Sequence, residues 1–393
     1  MNLLRNKKKI CIVSCSRADY GLLKKIIKLF KNDTNLLTYF VITGSHFSLK
    51  HGNSINEIYE DKIKIDKKIK IFNFEGSIKS INSSYLEIFN KFSDYLQKQN
   101  IDLVILVGDR FEILSIASAS LIMRIPIAHI HGGELTEASI DNSIRHAVTK
   151  ISNLHFVSNK TYKKRVHQMG EDPNYVFNVG GLGVDAMTEI KYMTKNELEK
   201  ELKFKFWKRN ILVTYHPETF NDKLSLNNFN KLLNVIKKNK DIFFIFTFPN
   251  IDHNNIQYIK KIKSLSKNER HIIYFKSLGQ RKYFSILKYI DAVMGNSSSG
   301  ILEAPYFKIG TINIGERQKG RLRSPSVIDS KPKEEDINHA INLLYSKKFR
   351  HKLMKKYYVH GRSGASSKIY KIIKDKIYKN KFNLIKKFND IKI

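Results

Sequence analysis

Short apolar runs alternate with stretches of helical periodicity along the whole chain, a pattern typical of α/β proteins. After the first run, for example, apolar residues recur at helical spacing from Leu22 to Phe30. Because the runs contain few polar residues, we expect parallel strands that helices cover on both faces. In the first half, the runs that predict strands lie at 10–15, 36–42, 103–107, 125–130, 154–158 and 175–179.

The second half repeats this rhythm and predicts a second sheet. The spacing of Thr194 and Glu197 is that of a capping box, which predicts the start of a helix. The runs that predict strands follow at 210–215, 241–248, 271–275, 291–295 and 310–314.

The length of the chain predicts more than one domain. Its 393 residues exceed the ~250–300 residues at which a single core stops growing. We predict two Rossmann-like domains, 1–185 and 186–365, with parallel sheets that face a cleft. We expect the lysine-rich segment 366–393 to form a helix that packs back on the protein, although a helix on a membrane surface would show a similar pattern.

Basic residues outnumber acidic residues by 70 to 36, which gives a formal net charge of +34. Such an excess strengthens binding to any polyanion. The lysines are spread along the chain, however, and form no basic arm. This distribution favours a solvated surface that attracts small anionic substrates over nucleic-acid binding.

Several features favour a cytoplasmic protein. No run approaches the ~20 apolar residues of a membrane span, and the first apolar run is too short for a signal-peptide core. The two cysteines, Cys11 and Cys15, are too far apart on one strand to bridge each other and are expected to be reduced core thiols.

Hydroxyl and arginine side chains follow strands of the second half, at the edge where open parallel sheets bind ligands. The motif at 295–300, GNSSSG, opens a predicted helix, and Ser297 and Ser298 suit an anion there, although an ordinary helix cap is an equal alternative. Arg317 and Arg321 lie beside glycines after the strand at 310–314 and suit bidentate contacts to phosphates.

Two further side chains would complete a site for a ligand that carries a pyrophosphate. Glu303 could accept two ribose hydroxyls, or it could be a surface charge. Arg17, in the first turn of the other domain, could reach the same phosphates.

Carboxylates follow neighbouring strands in the first half, namely Asp109, Glu134 and Asp141. Mutual repulsion and burial can raise the pKa of such groups into the range for proton transfer. Asp109 could instead cap the next helix, and Arg145 could anchor the loop of Asp141. His216, at the end of a strand, either faces the cleft or is structural.

Two common cofactor signatures are absent from the sequence. Neither the dinucleotide fingerprint nor the phosphate-binding loop of nucleotide triphosphatases occurs, so a tightly held NAD is not indicated. His129 and His131 lie two residues apart with no cysteine near them, which argues against a zinc site. We therefore predict no metal and no cofactor.

Seven segments, in order along the chain, resemble the UDP-N-acetylglucosamine 2-epimerase family, and most closely its hydrolysing branch. Each motif is weak alone, but together they span roughly residues 8–330 in the family's order. The segments are SRADYG (16–21), GDRFE (108–112), HIHGGE (129–134), IDNSIRH (140–146), HPET (216–219), GNSSSGILEAP (295–305) and INIGERQKGR (312–321).

The resemblance implies a glycosyltransferase-B type fold and a reaction without metal or NAD. In that reaction UDP is eliminated across C1–C2 to give a 2-acetamidoglucal. Water then adds at C1, and a proton returns to the opposite face of C2. The expected products are N-acetylmannosamine and UDP, for nonulosonate (sialic acid) biosynthesis, made by a homo-oligomer that binds neither nucleic acid nor membranes.

The resemblance also assigns roles by position. Asp109 and Asp141 match carboxylates of proton transfer, and His216 matches a histidine near the phosphates. Many members have a glutamate where His131 stands, so either His131 or Glu134 takes that catalytic role. The positions expected to bind the substrate are Arg17, Asp19, His216, Ser297, Ser298, Glu303, Arg317, Gln318 and Arg321.

Other functions remain open at this point. A relative could act on a UDP-2,4-diacetamido-2,4,6-trideoxyhexose on a legionaminic-acid route, since the loops of the sugar pocket are not resolved by sequence. A non-hydrolysing epimerase would keep UDP on its product, but the segments GERQKGR and HIHGGE favour the hydrolysing branch. A glycosyltransferase of the same fold is disfavoured by the acidic residues of the first domain.

Overall fold

The computed structural model describes residues 7–47, 54–71, 77–137, 139–217, 222–249, 255–355, 359–379 and 385–391. The chain divides into two compact units, and each is built on one parallel sheet, so the predicted α/β class is confirmed. The first unit takes residues 1–134, 141–188 and 360–393, and the second takes 135–140 and 189–359.

The first unit has a sheet in the order β3-β2-β1-β4-β5-β6-β7, and all neighbouring strands are parallel. The strands are β1 (Lys8–Ser14), β2 (Leu36–Ile42), β3 (Lys67–Lys68), β4 (Leu103–Val107), β5 (Ile127–Ile130), β6 (Leu154–Val157) and β7 (Val176–Asn178). Its helices are α1 (Arg17–Lys31), α2 (Ile55–Glu60), α3 (Ile78–Gln99), α4 (Phe111–Ile122), α5 (Ile140–Ile151), α6 (Lys160–Gln168), α7 (Leu182–Glu189) and, much later in the chain, α15 (Ala365–Tyr378).

The second unit has a parallel sheet in the order β10-β9-β8-β11-β12-β13. The strands are β8 (Asn210–Thr214), β9 (Phe243–Thr247), β10 (Ile272–Phe275), β11 (Ala292–Gly295), β12 (Gly310–Ile314) and β13 (Val327–Ser330). The helices are α8 (Lys195–Leu202), α9 (Asp222–Lys238), α10 (Asn255–Asn268), α11 (Gly279–Ile286), α12 (Ser298–Leu302), α13 (Glu334–Leu344) and α14 (Lys347–Leu353).

Both faces of the first sheet are buried, which explains why its strands read as continuous apolar runs. Successive residues of β1 point to opposite faces. Ile10 and Ile12 join the core formed with α1 and α15, whereas Cys11 and Val13 join the core formed with α3 and α4. Both cysteines are buried free thiols, and burial raises the pKa of Cys11.

In both sheets the order of strands reverses beside a central strand, at β1/β4 and at β8/β11. Crevices at such switch points, outside the carboxyl ends of the strands, are where open α/β sheets bind ligands. The loops that follow β1, β4 and β5, and those that follow β8, β11 and β12, are therefore the expected binding regions.

The predicted strands are confirmed with small shifts at their ends. The runs at 36–42, 103–107 and 310–314 match β2, β4 and β12 to the residue. The capping box of α8 is confirmed, because Glu197 N–H donates to Thr194 Oγ1 (3.3 Å) and Thr194 N–H donates to Glu197 Oε2 (2.7 Å).

The C-terminal segment differs from the single helix predicted over 366–393. The helix α15 ends at Tyr378, and the described residues 385–391 have no regular secondary structure. The reason lies in their contacts: Lys386 Nζ donates to the buried Glu171 Oε2 (2.7 Å) and to the carbonyl oxygen of Ser152 (2.6 Å), and the Asn389 N–H donates to the carbonyl oxygen of Gly170 (3.0 Å). Among the described residues, no helix combines the length and apolar character that a membrane span requires.

Candidate active site

The loop after β1 holds a buried carboxylate, Asp19. Ser16 caps α1, since its Oγ accepts from the Asp19 N–H (3.2 Å), and Asp19 Oδ2 in turn accepts from the Cys15 N–H (3.1 Å). Burial raises the pKa of Asp19 to about 6, against the opposing charge of Arg110. Arg17 is the first residue of α1, and within the described residues its guanidinium makes no hydrogen bond or ion pair.

The loops after β4 and β5 are joined by one buried arginine, Arg145 of α5. Its guanidinium forms an ion pair with Asp109 and donates through Nη1 to the carbonyl oxygen of Glu134 (2.9 Å). The side chain of Arg145 is almost fully buried, whereas that of Asp109 is 22% exposed. The carboxylate of Asp109 is therefore held by the ion pair and is still partly accessible to solvent. The alternative role of a helix cap does not apply, because Arg110 occupies the cap position of α4.

His131 and Glu134 form a hydrogen-bonded pair at the end of β5. His131 Nδ1 lies 2.8 Å from Glu134 Oε1, and the buried Nε2 has no partner within the described residues. His131 also has a φ of +70°, in the left-handed region that residues other than glycine adopt uncommonly. A histidine held at one nitrogen by a carboxylate can exchange a proton through the other.

The two histidines of the β5 segment differ in environment. His129 is fully buried and donates through Nε2 to the carbonyl oxygen of Gly108 (2.8 Å). Burial lowers the pKa of His129 to about 3, so the ring stays neutral. This bond supports the residue immediately before Asp109, so the contacts of His129 are structural.

Asp141 lies in the first turn of α5, the helix that carries Arg145. The structure therefore brings Asp109, His131 and Glu134 together through Arg145, and it places Asp141 on the same supporting helix. Asp19 belongs to a separate group with Arg110 and the fully buried Glu112, whose Oε2 accepts from Arg110 Nε (3.2 Å).

In the second unit, Asn296 connects the loops after β8, β11 and β12. Its Oδ1 accepts from the His216 N–H (2.7 Å), and its Nδ2 donates to the His216 carbonyl oxygen (2.8 Å). The Asn296 carbonyl oxygen accepts from Arg317 Nη1 (3.1 Å) and from Gln318 Nε2 (2.9 Å). Three of the predicted substrate contacts thus share one fully buried residue.

The environment of His216 favours a neutral imidazole. The residue is 5% exposed, and burial together with the charge of Arg317 lowers its pKa well below the ordinary value. A neutral ring can donate a hydrogen bond to a phosphate oxygen, but it is a poor acid. This favours a binding role over a catalytic one for His216.

The turn from β11 into α12 requires glycine at its start. Gly295 has a φ of +128°, and a Cβ there would lie 2.0 Å from the carbonyl oxygen of Thr214. Ser297 then caps α12 by accepting from the Ser299 N–H (3.4 Å), and Ser298 is the first residue of the helix. The predicted helix start at GNSSSG is confirmed.

Glu303 follows α12 and is partly buried, and burial raises its pKa. Ser299 Oγ donates to Glu303 Oε2, and the Tyr283 hydroxyl contacts the same Ser299 oxygen. Arg321 lies after β12, where its N–H donates to the carbonyl oxygen of Gln318 (3.3 Å). Glu218 and Thr219 of the HPET motif lie outside the described residues.

Four residues of these sites were not predicted to have their observed roles: Arg145 as a bridge, Asn296 as a connector, and Tyr283 and Ser299 beside Glu303. Asn296 and Ser299 lie within GNSSSG, so the motif contained a signal for them. Tyr283 had none, because its contact with Ser299 depends on how α11 packs beside α12.

The chain is similar to known proteins over most of its length. The family model for UDP-N-acetylglucosamine 2-epimerase matches residues 28–374. A Campylobacter jejuni protein named GDP/UDP-N,N'-diacetylbacillosamine 2-epimerase (hydrolyzing) is 42% identical over 346 residues, which cover 88% of this chain and 89% of the relative. The polysialic acid biosynthesis protein P7 of Escherichia coli is 37% identical over 386 residues, which cover 98% of each chain.

A solved structure shares the fold. The crystal structure of UDP-GlcNAc 2-epimerase from Neisseria meningitidis bound to UDP-GlcNAc matches 93% of this chain and 100% of that chain, with a TM-score of 0.82 and 17% identity. At this identity the likeness concerns the fold alone, and it confirms the glycosyltransferase-B type.

Proposed function

The chain belongs to the hydrolysing branch of the UDP-N-acetylglucosamine 2-epimerase family, and from this premise we propose that it acts on a UDP-2,4-diacetamido-2,4,6-trideoxyhexose. It is a hydrolysing UDP-sugar 2-epimerase, so the proposal concerns the sugar and the roles of individual residues. The products would be UDP and the free sugar with inverted configuration at C2.

The observation that carries the proposed mechanism is the group of acid/base side chains at the ends of β4 and β5. Asp109 is oriented by Arg145, and His131 is oriented by Glu134 while its Nε2 has no partner within the described residues. Epimerisation at C2 needs one group to remove a proton from one face and another to return a proton to the opposite face. Two separately oriented groups at one sheet edge fit this requirement.

In the proposed reaction, one of these groups takes the C2 proton while the C1–O bond to UDP breaks, which leaves a C1=C2 double bond. Water then adds its oxygen to C1 and releases one proton to the solvent, while the second group donates a proton to the opposite face of C2. The two groups return to their starting protonation states by exchange with the solvent. We assign the two roles to Asp109 and His131, with Glu134 holding the imidazole. Asp141 remains the further proton-transfer candidate from the resemblance.

The second unit would bind the nucleotide. Arg317 and Arg321 would contact the diphosphate, with a hydrogen bond from the neutral His216, and Glu303 would accept the ribose hydroxyls. The Asn296 connector supports this proposal, because it fixes His216, Arg317 and Gln318 relative to each other. The remaining proposed contacts are Arg17, Asp19, Ser297 and Ser298.

The choice of sugar follows the relatives. The Campylobacter jejuni relative, named for N,N'-diacetylbacillosamine, is 42% identical, which supports the 2,4-diacetamido sugar. UDP-N-acetylglucosamine, the first expectation from sequence, is the second candidate, because the similarity to the polysialic acid protein covers 98% of both chains.

Product analysis by NMR in deuterated water tests the proposal. With equal concentrations of the two UDP-sugars, we expect release of UDP, deuterium at C2 of the free product, and a kcat/KM at least about tenfold higher for the diacetamido sugar, a difference of ~1.4 kcal/mol in transition-state binding. A preference for UDP-N-acetylglucosamine would replace the first candidate by the second. A product without deuterium at C2 would contradict the proton-transfer mechanism.

A further inference from the structure

Two hydroxyl groups lead to the carboxylate of Glu303 in the second unit. Ser299, on α12, donates its hydroxyl proton to Glu303 Oε2. Tyr283, on α11, contacts the Ser299 oxygen. A serine has one hydroxyl proton, and a carboxylate only accepts, so Tyr283 is the donor to Ser299. The chain of donation therefore runs from Tyr283 through Ser299 to Glu303.

The other carboxylate oxygen of Glu303, Oε1, is a candidate contact for a ligand. Within the described part of the chain, Glu303 Oε1 has no hydrogen-bond partner, although the side chain is partly buried. The backbone also holds this residue, because the Glu303 N–H donates to the Ser299 carbonyl oxygen (2.9 Å). One oxygen is thus fixed by the protein while the other is available.

A fixed carboxylate is suited to a vicinal diol. Two neighbouring hydroxyls need two acceptor oxygens at a set distance and angle, and a freely rotating carboxylate would lose rotational freedom on binding. Donation from Ser299 removes that freedom beforehand, and donation from Tyr283 strengthens the Ser299 bond by polarising it.

We propose that Tyr283 and Ser299 are positioning residues that hold Glu303 for the ribose diol and so make the protein select UDP over nucleotides without ribose hydroxyls. This inference rests on the proposed function, in which Glu303 binds ribose. Neither residue is required to touch the substrate, and their effect is specific to the sugar of the nucleotide.

Isothermal calorimetry with UDP and with 2′,3′-dideoxyuridine diphosphate separates positioning from general support. In Tyr283→Phe we expect the affinity for UDP to fall ~3–10-fold, and in Ser299→Ala ~10-fold or more, because the bond lost in the latter is to a charged group. The affinity for the dideoxy compound should change less than about twofold in both variants, so the ratio of the affinity for UDP to that for the dideoxy compound falls.

Matched controls are Tyr289→Phe and Ser266→Ala. They remove hydroxyls bonded to the carbonyl oxygens of Met193 (3.3 Å) and Ile272 (3.0 Å) in the same unit.

Each outcome has one meaning. If a variant loses affinity equally for both nucleotides, or if the ratio of the two affinities is unchanged, the positioning role is overturned. UDP binding by the wild type still upholds the proposed function in that case. No UDP binding by the wild type would overturn the proposed function and this inference with it. If Ser299→Ala fails to fold, Tyr283→Phe, which keeps the ring, decides the question alone.

Discussion

The carboxylate of Asp109 can be removed without changing the size of its side chain. In Asp109→Asn we expect turnover to fall ~10²–10⁴-fold because the base is lost. We also expect the free energy of unfolding to fall by about 1–3 kcal/mol, because the buried Arg145 charge loses its ion-pair partner. Steady-state kinetics and urea unfolding measure the two effects. Asp102→Asn is the control, since Asp102 pairs with Lys8 at the start of β1, and a normal rate in a folded Asp109 variant would make Asp109 structural.

The substitution His131→Asn tests proton transfer at the end of β5. Asparagine tolerates a positive φ better than most residues and can bond to Glu134, but it cannot exchange a proton at neutral pH. We expect turnover to fall ~10²-fold or more, with loss of one limb of the pH–rate profile and a UDP affinity close to that of the wild type. If the limb persists at a high rate, Glu134 takes the role, and Glu134→Gln should then be the more damaging change.

Asp19 predicts a particular dependence of stability on pH. Its pKa rises from the ordinary value of 3.8 to about 6 in the folded protein, because the carboxyl is buried. Between these values the folded state holds a proton that the unfolded state has lost, so stability falls as the pH rises from about 4 to about 6. Relative to Asp19→Asn, the free energy of unfolding of the wild type should fall by up to about 3 kcal/mol over this pH window and should not change further above it. Urea unfolding at a series of pH values measures this, and parallel curves for the two proteins would refute it.

At the scale of strands and helices, the loop after β11 makes a testable link to β8 and β12. In Asn296→Ala both the N–H and the carbonyl oxygen of the buried His216 lose their partner. We expect the free energy of unfolding to fall by about 2–6 kcal/mol, at ~1–3 kcal/mol for each of the two groups that lose this bond, and UDP binding to weaken. Asn239→Ala is the control for losing a structural amide, because it removes a bond to the Val235 carbonyl oxygen of α9 and a bond to Asn338 of α13. Equal UDP affinity in the Asn296 variant and the wild type would show that the connector does not support the nucleotide site.

Sequence alone predicted the strands well because parallel strands buried on both faces are continuous apolar runs. It missed β3, whose two residues are exposed lysines, and β13, where Asp329 and Ser330 interrupt a short apolar segment. The same reasoning placed the candidate site residues at strand ends. The sequence offered Arg145 as a support for the loop of Asp141, but its observed partners and the role of Tyr283 could not be predicted, because these side chains reach across from other helices and depend on how those helices pack.

At the scale of the whole molecule, residues 385–391 add an ion pair to the first unit, between the partly buried Lys386 and the buried Glu171. Burial would raise the pKa of Glu171, but hydrogen bonds from His155, Lys150 and Lys386 outweigh it and hold the pKa at about 2. In Lys386→Met we expect the free energy of unfolding to fall by about 1–3 kcal/mol, because the carboxylate keeps its other two partners. Urea unfolding measures this loss.

The neighbouring Lys387 provides the control for Lys386. Lys387 is exposed, and Lys387→Met should change stability by less than about 0.5 kcal/mol. In a Glu171→Gln background the effect of Lys386→Met should shrink, because the charge that it neutralises is gone. An undiminished effect there would assign the stabilisation to the apolar stem of Lys386 and not to the ion pair.

The path of the chain between the units has a consequence for synthesis on the ribosome. The chain leaves the first unit after residue 134, returns after 140, leaves again after 188 and returns after 359. Ile369 and Ile373 of α15 fill the same core as Phe30 of α1. Because domains fold as the chain emerges, the part of this core that α15 covers stays exposed while the whole second sheet is made. The second unit can therefore finish folding before α15 has packed on the first unit, although its synthesis begins later.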